Sequence, residues 1–87
     1  MPYEVLIEKK AEKDFKNISK INHKRIIAAI LTLKDNLRPV DVRKISGSEN
    51  YYRVRAGDYR IIYEIDDNKK KVIIFRIRHR REVYENL

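Results

Sequence analysis

Residues 51–65 read YYRVRAGDYRIIYEI and decide the fold of this chain. Apolar and aromatic residues alternate there with arginine, and a period of two is typical of a β-strand with one buried face. Gly57 and Asp58 interrupt the alternation and fit the two-residue loop of a β-hairpin. Counting outward from that loop places Arg55 opposite Arg60. The stretch therefore predicts two antiparallel strands in a defined register.

A third strand follows this hairpin. Residues 71–78 read KVIIFRIR, and the polar turn DDNKK precedes them at residues 66–70. The three strands are predicted to form an antiparallel meander. In the last strand the alternation places Phe75 and Ile77 inward and Arg76 and Arg78 outward.

The two faces of the predicted meander differ in composition. One face is apolar and suited to cover by helices, and it carries Tyr52, Val54, Ala56, Tyr59, Ile61 and Tyr63. The other, here called the arginine face, carries Arg53, Arg55, Arg60, Arg76 and Arg78, with Arg80 and Arg81 just beyond. Directly opposed like charges repel, and guanidinium groups fork onto phosphate oxygens. We interpret this face as a phosphate-binding surface; the alternative is the ordinary solvated side of a half-buried sheet.

The N-terminal half is predicted to supply one strand and two helices. Residues 3–7 form a short strand, residues 8–17 a first helix, and a longer helix follows that Pro39 ends. The apolar stripe of the longer helix consists of Ile26, Ile27, Ile30, Leu31, Leu33 and Leu37. Residues 38–50 are predicted to be a loop that carries Arg43 and Lys44. The result is a single α+β domain over residues 1–87: a strand, a two-helix hairpin and the meander, as a mainly antiparallel sheet with both helices on one face.

The charge balance favours a polyanionic partner. The chain has 21 Lys and Arg against 13 Asp and Glu, a formal net charge of +8, and nucleic acid is the leading candidate. Without cysteine, disulfides and thiolate zinc sites are excluded. Neither a signal peptide nor a membrane-spanning apolar stretch is visible, so we expect a cytoplasmic protein without a membrane partner.

Cleavage of RNA without a metal ion requires a base for the 2′-hydroxyl, positive charge for the phosphorane and an acid for the leaving oxygen. We expect no metal or other cofactor, because no carboxylate pair shows ligand spacing near His23 or His79. His23 is expected on a helix surface. His79 and Tyr84 are expected beside the arginine face, where either could exchange protons. Tyr84 equally fits an aromatic cover for the sheet edge.

Two motifs, YYRVRAGDYRIIYEI and VIIFRIRHRREVY, resemble the signature of the RelE toxin family, and the resemblance covers essentially the whole chain. It implies ribosome-dependent cleavage of mRNA in the A site by 2′-hydroxyl attack. It also implies a cognate, acidic RelB-like antitoxin that forms a hetero-oligomer with the toxin. Carried over by motif, the catalytic residues are Arg60, Tyr84 and one or both of Arg78 and Arg80. Substrate-binding candidates are Lys44, Arg53, Arg55, Arg76 and His79.

One departure from the family pattern bears on the chemistry. Arg53 and Arg55 stand where lysines often occur, and arginine stays protonated, so it is a poor general base. Proton removal would then fall to Tyr84, to His79 or to the RNA environment on the ribosome.

Two other functions remain open from the sequence. A ParE-like gyrase inhibitor would share the fold and the antitoxin but need no catalytic residues. A non-enzymatic nucleic-acid-binding module would use the arginine face only to hold the backbone. In either toxin, Val83, Tyr84 and Leu87 are spaced to form a C-terminal piece that an antitoxin could displace.

Overall fold

The computed structural model describes residues 3–37, the backbone of residues 43–44, and residues 51–79. The elements, in chain order, are β1 (Glu4–Ile7), α1 (Lys9–Lys16), α2 (Lys20–Asp35), β2 (Arg43–Lys44), β3 (Tyr51–Ala56), β4 (Tyr59–Asp66) and β5 (Lys71–His79). The five strands form one sheet in the order β1-β5-β4-β3-β2. Strand β1 runs parallel to β5, and the other neighbours are antiparallel. The predicted α+β architecture is confirmed.

The β3–β4 hairpin has the register predicted from its loop. Ala56 pairs with Tyr59, and Arg55 pairs with Arg60. Gly57 has a φ of 64°, whereas Asp58 stays at negative φ. A positive φ at the first loop residue alone is the pattern of a type II′ turn, which matches the twist of the two strands and favours glycine there.

Both helices cover the apolar face of the sheet, as predicted. Ala11 of α1 and Ile26 and Leu33 of α2 are fully buried in a core with residues from the three meander strands. The sheet contributes Val54, Ala56, Ile61, Tyr63, Ile65, Val72, Ile74 and Ile77. The hydroxyl of Tyr63 donates a 2.7 Å hydrogen bond to the Leu37 carbonyl, which fixes the chain just after α2.

The predicted stripe on α2 is partly wrong. Ile26 and Leu33 are buried and Ile30 is partly buried, but Ile27 and Leu31 are 47% and 54% exposed. Successive helical residues are about 100° apart, so the second member of each apolar doublet turns away from the sheet.

Two further predictions were wrong in the sheet. Residues 43–44, expected within a loop, form the short edge strand β2, in which Arg43 pairs with Arg53 and Lys44 with Tyr52. Phe75, expected in the core, is 37% exposed because the β4–β5 ladder shifts register between Ile62 and Tyr63. Ile62 pairs with Arg76 and Tyr63 with Ile74, so Phe75 is the extra residue of a β-bulge.

Candidate nucleic-acid interface

Three arginines stand directly opposite one another across the meander. Arg55 of β3 pairs with Arg60 of β4, which pairs in turn with Arg78 of β5. We call these three residues the arginine row. Paired residues in an antiparallel sheet are about 5 Å apart in the backbone and share a face. The sheet therefore presents three guanidinium-bearing side chains on adjacent strands, on the face opposite the helices.

Arg55 and Arg60 are held by backbone carbonyls. Nε of Arg55 donates to the Gly57 carbonyl at 3.5 Å, and Nη1 of Arg60 donates to the Tyr59 carbonyl at 3.3 Å. Within residues 3–37 and 51–79, neither forms an ion pair with a carboxylate. Arg55 is exposed and Arg60 is half-buried. Most of the donors on these guanidinium groups therefore remain available to an anion.

The next row of the arginine face has an apolar centre. Arg53 and Arg76 flank Ile62 in the register. Ile62 is only 4% exposed although it lies outside the helix-covered core. Long arginine stems cover apolar surface while their charged ends stay in solvent. Arg53 and Arg76 are therefore placed to shield this isoleucine as well as to carry charge.

Asp14 of α1 holds Arg76 in a two-pronged ion pair. Nε of Arg76 lies 2.7 Å from Oδ2 of Asp14, and Nη2 lies 3.0 Å from Oδ1. The backbone N–H of Ile77 donates to Oδ2 as well, at 3.0 Å. The pairing of β1 with β5 ends at Ile74. Beyond that point, Asp14 supplies the hydrogen-bond acceptor for the backbone N–H of Ile77. Asp14 thus ties α1 to the half of β5 that carries Arg76 and Arg78.

The surroundings of Asp14 favour its ionised form. Burial acts to raise the pKa of its carboxyl group. The hydrogen bonds from Arg76 and the Ile77 N–H, together with the charges of Arg76 and Arg78, outweigh that effect and hold the pKa below its ordinary value. The carboxylate therefore stays charged at neutral pH and offsets part of the positive charge at this edge of the arginine face.

His79 lies on the opposite face of the sheet from its predicted position. It pairs with Tyr59, which packs against the core, and the two rings meet edge to face with centroids 5.4 Å apart. The prediction that His79 sits beside the arginine face is wrong, because alternation from the inward Ile77 turns residue 79 inward too. Its role in substrate binding stays a prediction.

Of the other predicted residues, His23 and Lys44 fall within the described parts of the chain. His23 is half-buried; its Nε2 lies 2.7 Å from the Phe15 carbonyl and its ring stacks on Phe15 at 4.0 Å, so it joins the two helices. Lys44 is described only as a backbone partner of Tyr52. Arg80 and Tyr84, and with them the C-terminal piece, lie outside the described residues.

The described residues contain neither a candidate metal site nor a helix that could span a membrane. No group of three or more His, Cys, Asp or Glu residues in that part of the chain could hold a metal ion. No helix there is both long enough and apolar enough to cross a bilayer.

Three residues that shape this face were not predicted from the sequence. Asp14 is 62 positions from Arg76, and no local pattern links them. The rings of Phe75 and Tyr51 meet edge to face on the outward side, with centroids 5.7 Å apart. Glu64 pairs with Tyr51 and Ile73, so an acid also lies on this side of the sheet. The alternation from Arg60 already places Glu64 there, so its position could have been read from the sequence.

Comparison with known proteins points to one family. A family profile described as "ParE toxin of type II toxin-antitoxin system, parDE" matches residues 5–84. Toxin RelE3 of Methanocaldococcus jannaschii is 36% identical over 85 residues, which cover 93% of this chain and 94% of the relative. Toxin RelG of Mycobacterium tuberculosis is 30% identical over 92 residues, covering 97% and 98%. The archaeal RelE–RelB complex from Pyrococcus horikoshii OT3 is similar with a TM-score of 0.81 at 30% identity, covering 92% of this chain and 97% of that chain. The chain therefore belongs to the RelE/ParE family of toxins of type II toxin–antitoxin systems.

Proposed function

We propose that this toxin is a ribosome-dependent endoribonuclease that cleaves mRNA in the A-site codon and so halts translation. The observation that carries the proposal is the arginine row, three directly opposed arginines on the face that neither helix covers. Opposed like charges destabilise a sheet. An anion that lies between the arginines relieves their repulsion, and this relief contributes to the free energy of anion binding. The proposal places the protein in the cytoplasm, where mRNA is translated.

The proposed chemistry is a transfer within the RNA itself. The 2′-hydroxyl loses its proton and its oxygen attacks the neighbouring phosphorus, the bond from phosphorus to the 5′-oxygen breaks, the 5′-oxygen takes up a proton and leaves as a hydroxyl, and a 2′,3′-cyclic phosphate remains. Arg60, with Arg78 or Arg80, stabilises the charge that develops on the phosphorane oxygens, and no metal ion is needed for that role. Tyr84 orients the 2′-hydroxyl or takes its proton. Because arginine stays protonated, Arg53 and Arg55 bind the backbone and do not act as bases.

Around this centre, Lys44, Arg76 and His79 complete the proposed substrate-binding set. Arg76 is already held by Asp14, so its contribution would be the charge that remains at the edge of the ion pair. His79 lies on the other side of the sheet at the end of β5, and it would reach RNA only around that end.

We further propose that a cognate acidic antitoxin of the RelB type binds and silences the toxin. Similar solved structures include RelE–RelB complexes from Pyrococcus horikoshii OT3 and Methanococcus jannaschii. The net charge of +8 suits an acidic partner segment. The antitoxin would compete with RNA wherever its acidic residues pair with the arginine face.

The matching family profile is that of a ParE toxin. A second candidate is therefore a ParE-like toxin that inhibits DNA gyrase. That activity needs no phosphorane stabilisation. Toxicity would then survive Arg60→Ala and Tyr84→Phe, and purified protein would block gyrase supercoiling.

The deciding experiment is primer extension on mRNA in programmed ribosomes. Wild-type protein is compared with Arg60→Ala and Tyr84→Phe, and Arg25→Ala on α2 serves as the control for loss of one exposed arginine outside the sheet. We expect cuts confined to the A-site codon, loss of cleavage of about 10²–10³-fold in Arg60→Ala, and little change in the control. Intact mRNA with inhibited supercoiling would establish the gyrase reading. If mRNA stays intact, gyrase stays active and RNA binding depends on salt, the remaining candidate is a non-enzymatic nucleic-acid-binding module.

A further inference from the structure

One end of the arginine face carries aromatic rings instead of arginine. Phe75 is 37% exposed, although it belongs to the central part of β5. The bulge is the reason, because the extra residue escapes the alternation that buries Ile74 and Ile77. A half-exposed phenylalanine is thereby presented on the side of the sheet that neither helix covers.

The ring of Phe75 is supported from the far side of β4. Tyr51 lies on β3 and Phe75 on β5, and their rings meet at 67° with centroids 5.7 Å apart. Since β4 runs between these two strands, the rings approach each other above it. An edge-to-face contact of this kind fixes the orientation of both rings, so Phe75 is held in place although it is partly exposed.

An acidic residue lies at this aromatic end of the face. Glu64 pairs with Tyr51 on one side and Ile73 on the other, and it forms no ion pair among the described residues. It lies four residues from Arg60 along β4, a rise of roughly 13 Å. A phosphate is attracted to the arginine row and repelled by Glu64, whereas a neutral base is not repelled. The two ends of the face therefore differ: the arginine row suits the phosphates of an RNA backbone, and the other end offers an apolar ring.

We infer that Phe75, supported by Tyr51, is a stacking subsite for a base of single-stranded RNA. The inference rests on the proposed function in that it takes RNA as the ligand of the arginine face. The base belongs to a nucleotide that flanks the phosphate on the arginine row, because Phe75 lies between the partners of Ile62 and Tyr63, two to three residues or roughly 7–10 Å from Arg60 along β4. Base–aromatic stacking is worth about 1–3 kcal/mol and tolerates any sequence, so Phe75 adds affinity and fixes the register of the strand.

The test measures binding of a short, fluorescently labelled 2′-O-methyl RNA oligonucleotide, which cannot undergo 2′-hydroxyl attack. A matched series carries one abasic site at each position in turn. For wild-type protein we expect one position at which loss of the base weakens binding by about 5- to 150-fold. In Phe75→Leu, which keeps an apolar side chain but no ring, the intact oligonucleotide binds more weakly by a similar factor and that abasic site has no further effect.

Two further variants serve as controls. Phe75→Tyr keeps a ring and should retain the abasic response, which a purely structural role for Phe75 would not require. Leu31→Ala removes an exposed apolar side chain from α2 and should bind as wild type does. The inference is overturned if no oligonucleotide binds, if no abasic position matters in wild type, or if Phe75→Leu keeps the full abasic response.

Failure of the subsite is separable from failure of the proposed function. If ribosomes show A-site cleavage while the abasic series is flat, only the stacking subsite is lost. If mRNA stays intact on ribosomes while the abasic response depends on Phe75, the subsite stands and the endonuclease proposal falls.

Discussion

Arg60 is the middle residue of the arginine row, and its replacement should stabilise the protein while it abolishes function. Arg60 opposes Arg55 on one side and Arg78 on the other. Arg60→Gln therefore removes two like-charge pairs, whereas Arg55→Gln removes one. At about 0.2–1 kcal/mol per pair, the expected gain in unfolding free energy is about 0.4–2 kcal/mol for Arg60→Gln and about half of that for Arg55→Gln. Glutamine keeps an amide donor for the Tyr59 carbonyl that Arg60 contacts.

The assay is thermal unfolding at low and at high ionic strength. For a domain of this size, each 1 kcal/mol of stability moves the melting temperature by about 4–8 °C. Because the Debye length falls from about 30 Å at 0.01 M salt to 3 Å at 1 M, the gain should be clear at low salt and shrink at high salt. Arg25→Gln on α2 is the matched control and should show no comparable gain.

Function should move in the opposite direction. We expect A-site cleavage by Arg60→Gln to fall by about 10²–10³-fold while its melting temperature rises. If Arg60→Gln were no more stable than wild type at low salt, or if Arg55→Gln gained as much as Arg60→Gln, the row would not be under electrostatic strain. The reasoning that links the row to an anion would then be refuted.

Three further predictions concern the elements that hold this face in place. Asp14→Asn should lose about 1–3 kcal/mol of unfolding free energy at neutral pH, because the amide has no charge and keeps only one of the two oxygens that accept from Arg76. Because the pKa of Asp14 is lowered on folding, the loss should shrink in urea titrations as the pH falls through that pKa, and a pH-independent difference would contradict the ion pair. Deletion of Phe75 should restore a regular β4–β5 ladder with Arg78 still outward, so near-native circular dichroism with weaker binding of RNA oligonucleotides is expected, and an unfolded product would show that the bulge is indispensable. Gly57→Ala should cost about 1–2 kcal/mol because of its φ of 64°. A Cβ there would lie 3.1 Å from Nη1 of Arg25, a flexible side-chain end. The added mutation Arg25→Ala should therefore not restore the melting temperature, and a full rescue would make the contact the cause.

The hairpin and the arginine face could be predicted because two independent signals agree there. A period of two fixes which residues share a face, and the Gly57–Asp58 loop fixes the register, so Arg55 and Arg60 were placed opposite each other from sequence alone. The same parity places His79 inward with Ile77, so the side of the sheet on which His79 lies also follows from the sequence.

The errors on α2 and β2 have a different origin. Apolar doublets such as Ile26–Ile27 and Ile30–Leu31 fit a helix stripe in two ways, and only the packed sheet decides which member is buried. Strand β2 has two residues, too few for any periodicity to show. The contact between Asp14 and Arg76 joins α1 to β5 across 62 positions, and nothing in either local segment predicts it.

Strand β5 contains the nearly continuous apolar run VIIFRI, and the bulge at Phe75 decides which of these residues lie on each face of the sheet. Val72 and Ile74 point into the core, and regular alternation from them would turn Arg76 and Arg78 inward and Ile77 outward. Burying two arginines without partners would cost far more than one disrupted ladder position. The extra residue shifts the phase by one, so Ile77 returns to the core and Arg78 joins Arg60 in the row. Alternation from Ile74 already turns Phe75 outward, and the extra residue keeps Arg76 and Arg78 on that same face. The bulge therefore places a proposed catalytic arginine on the same face as the ring that we infer stacks on RNA.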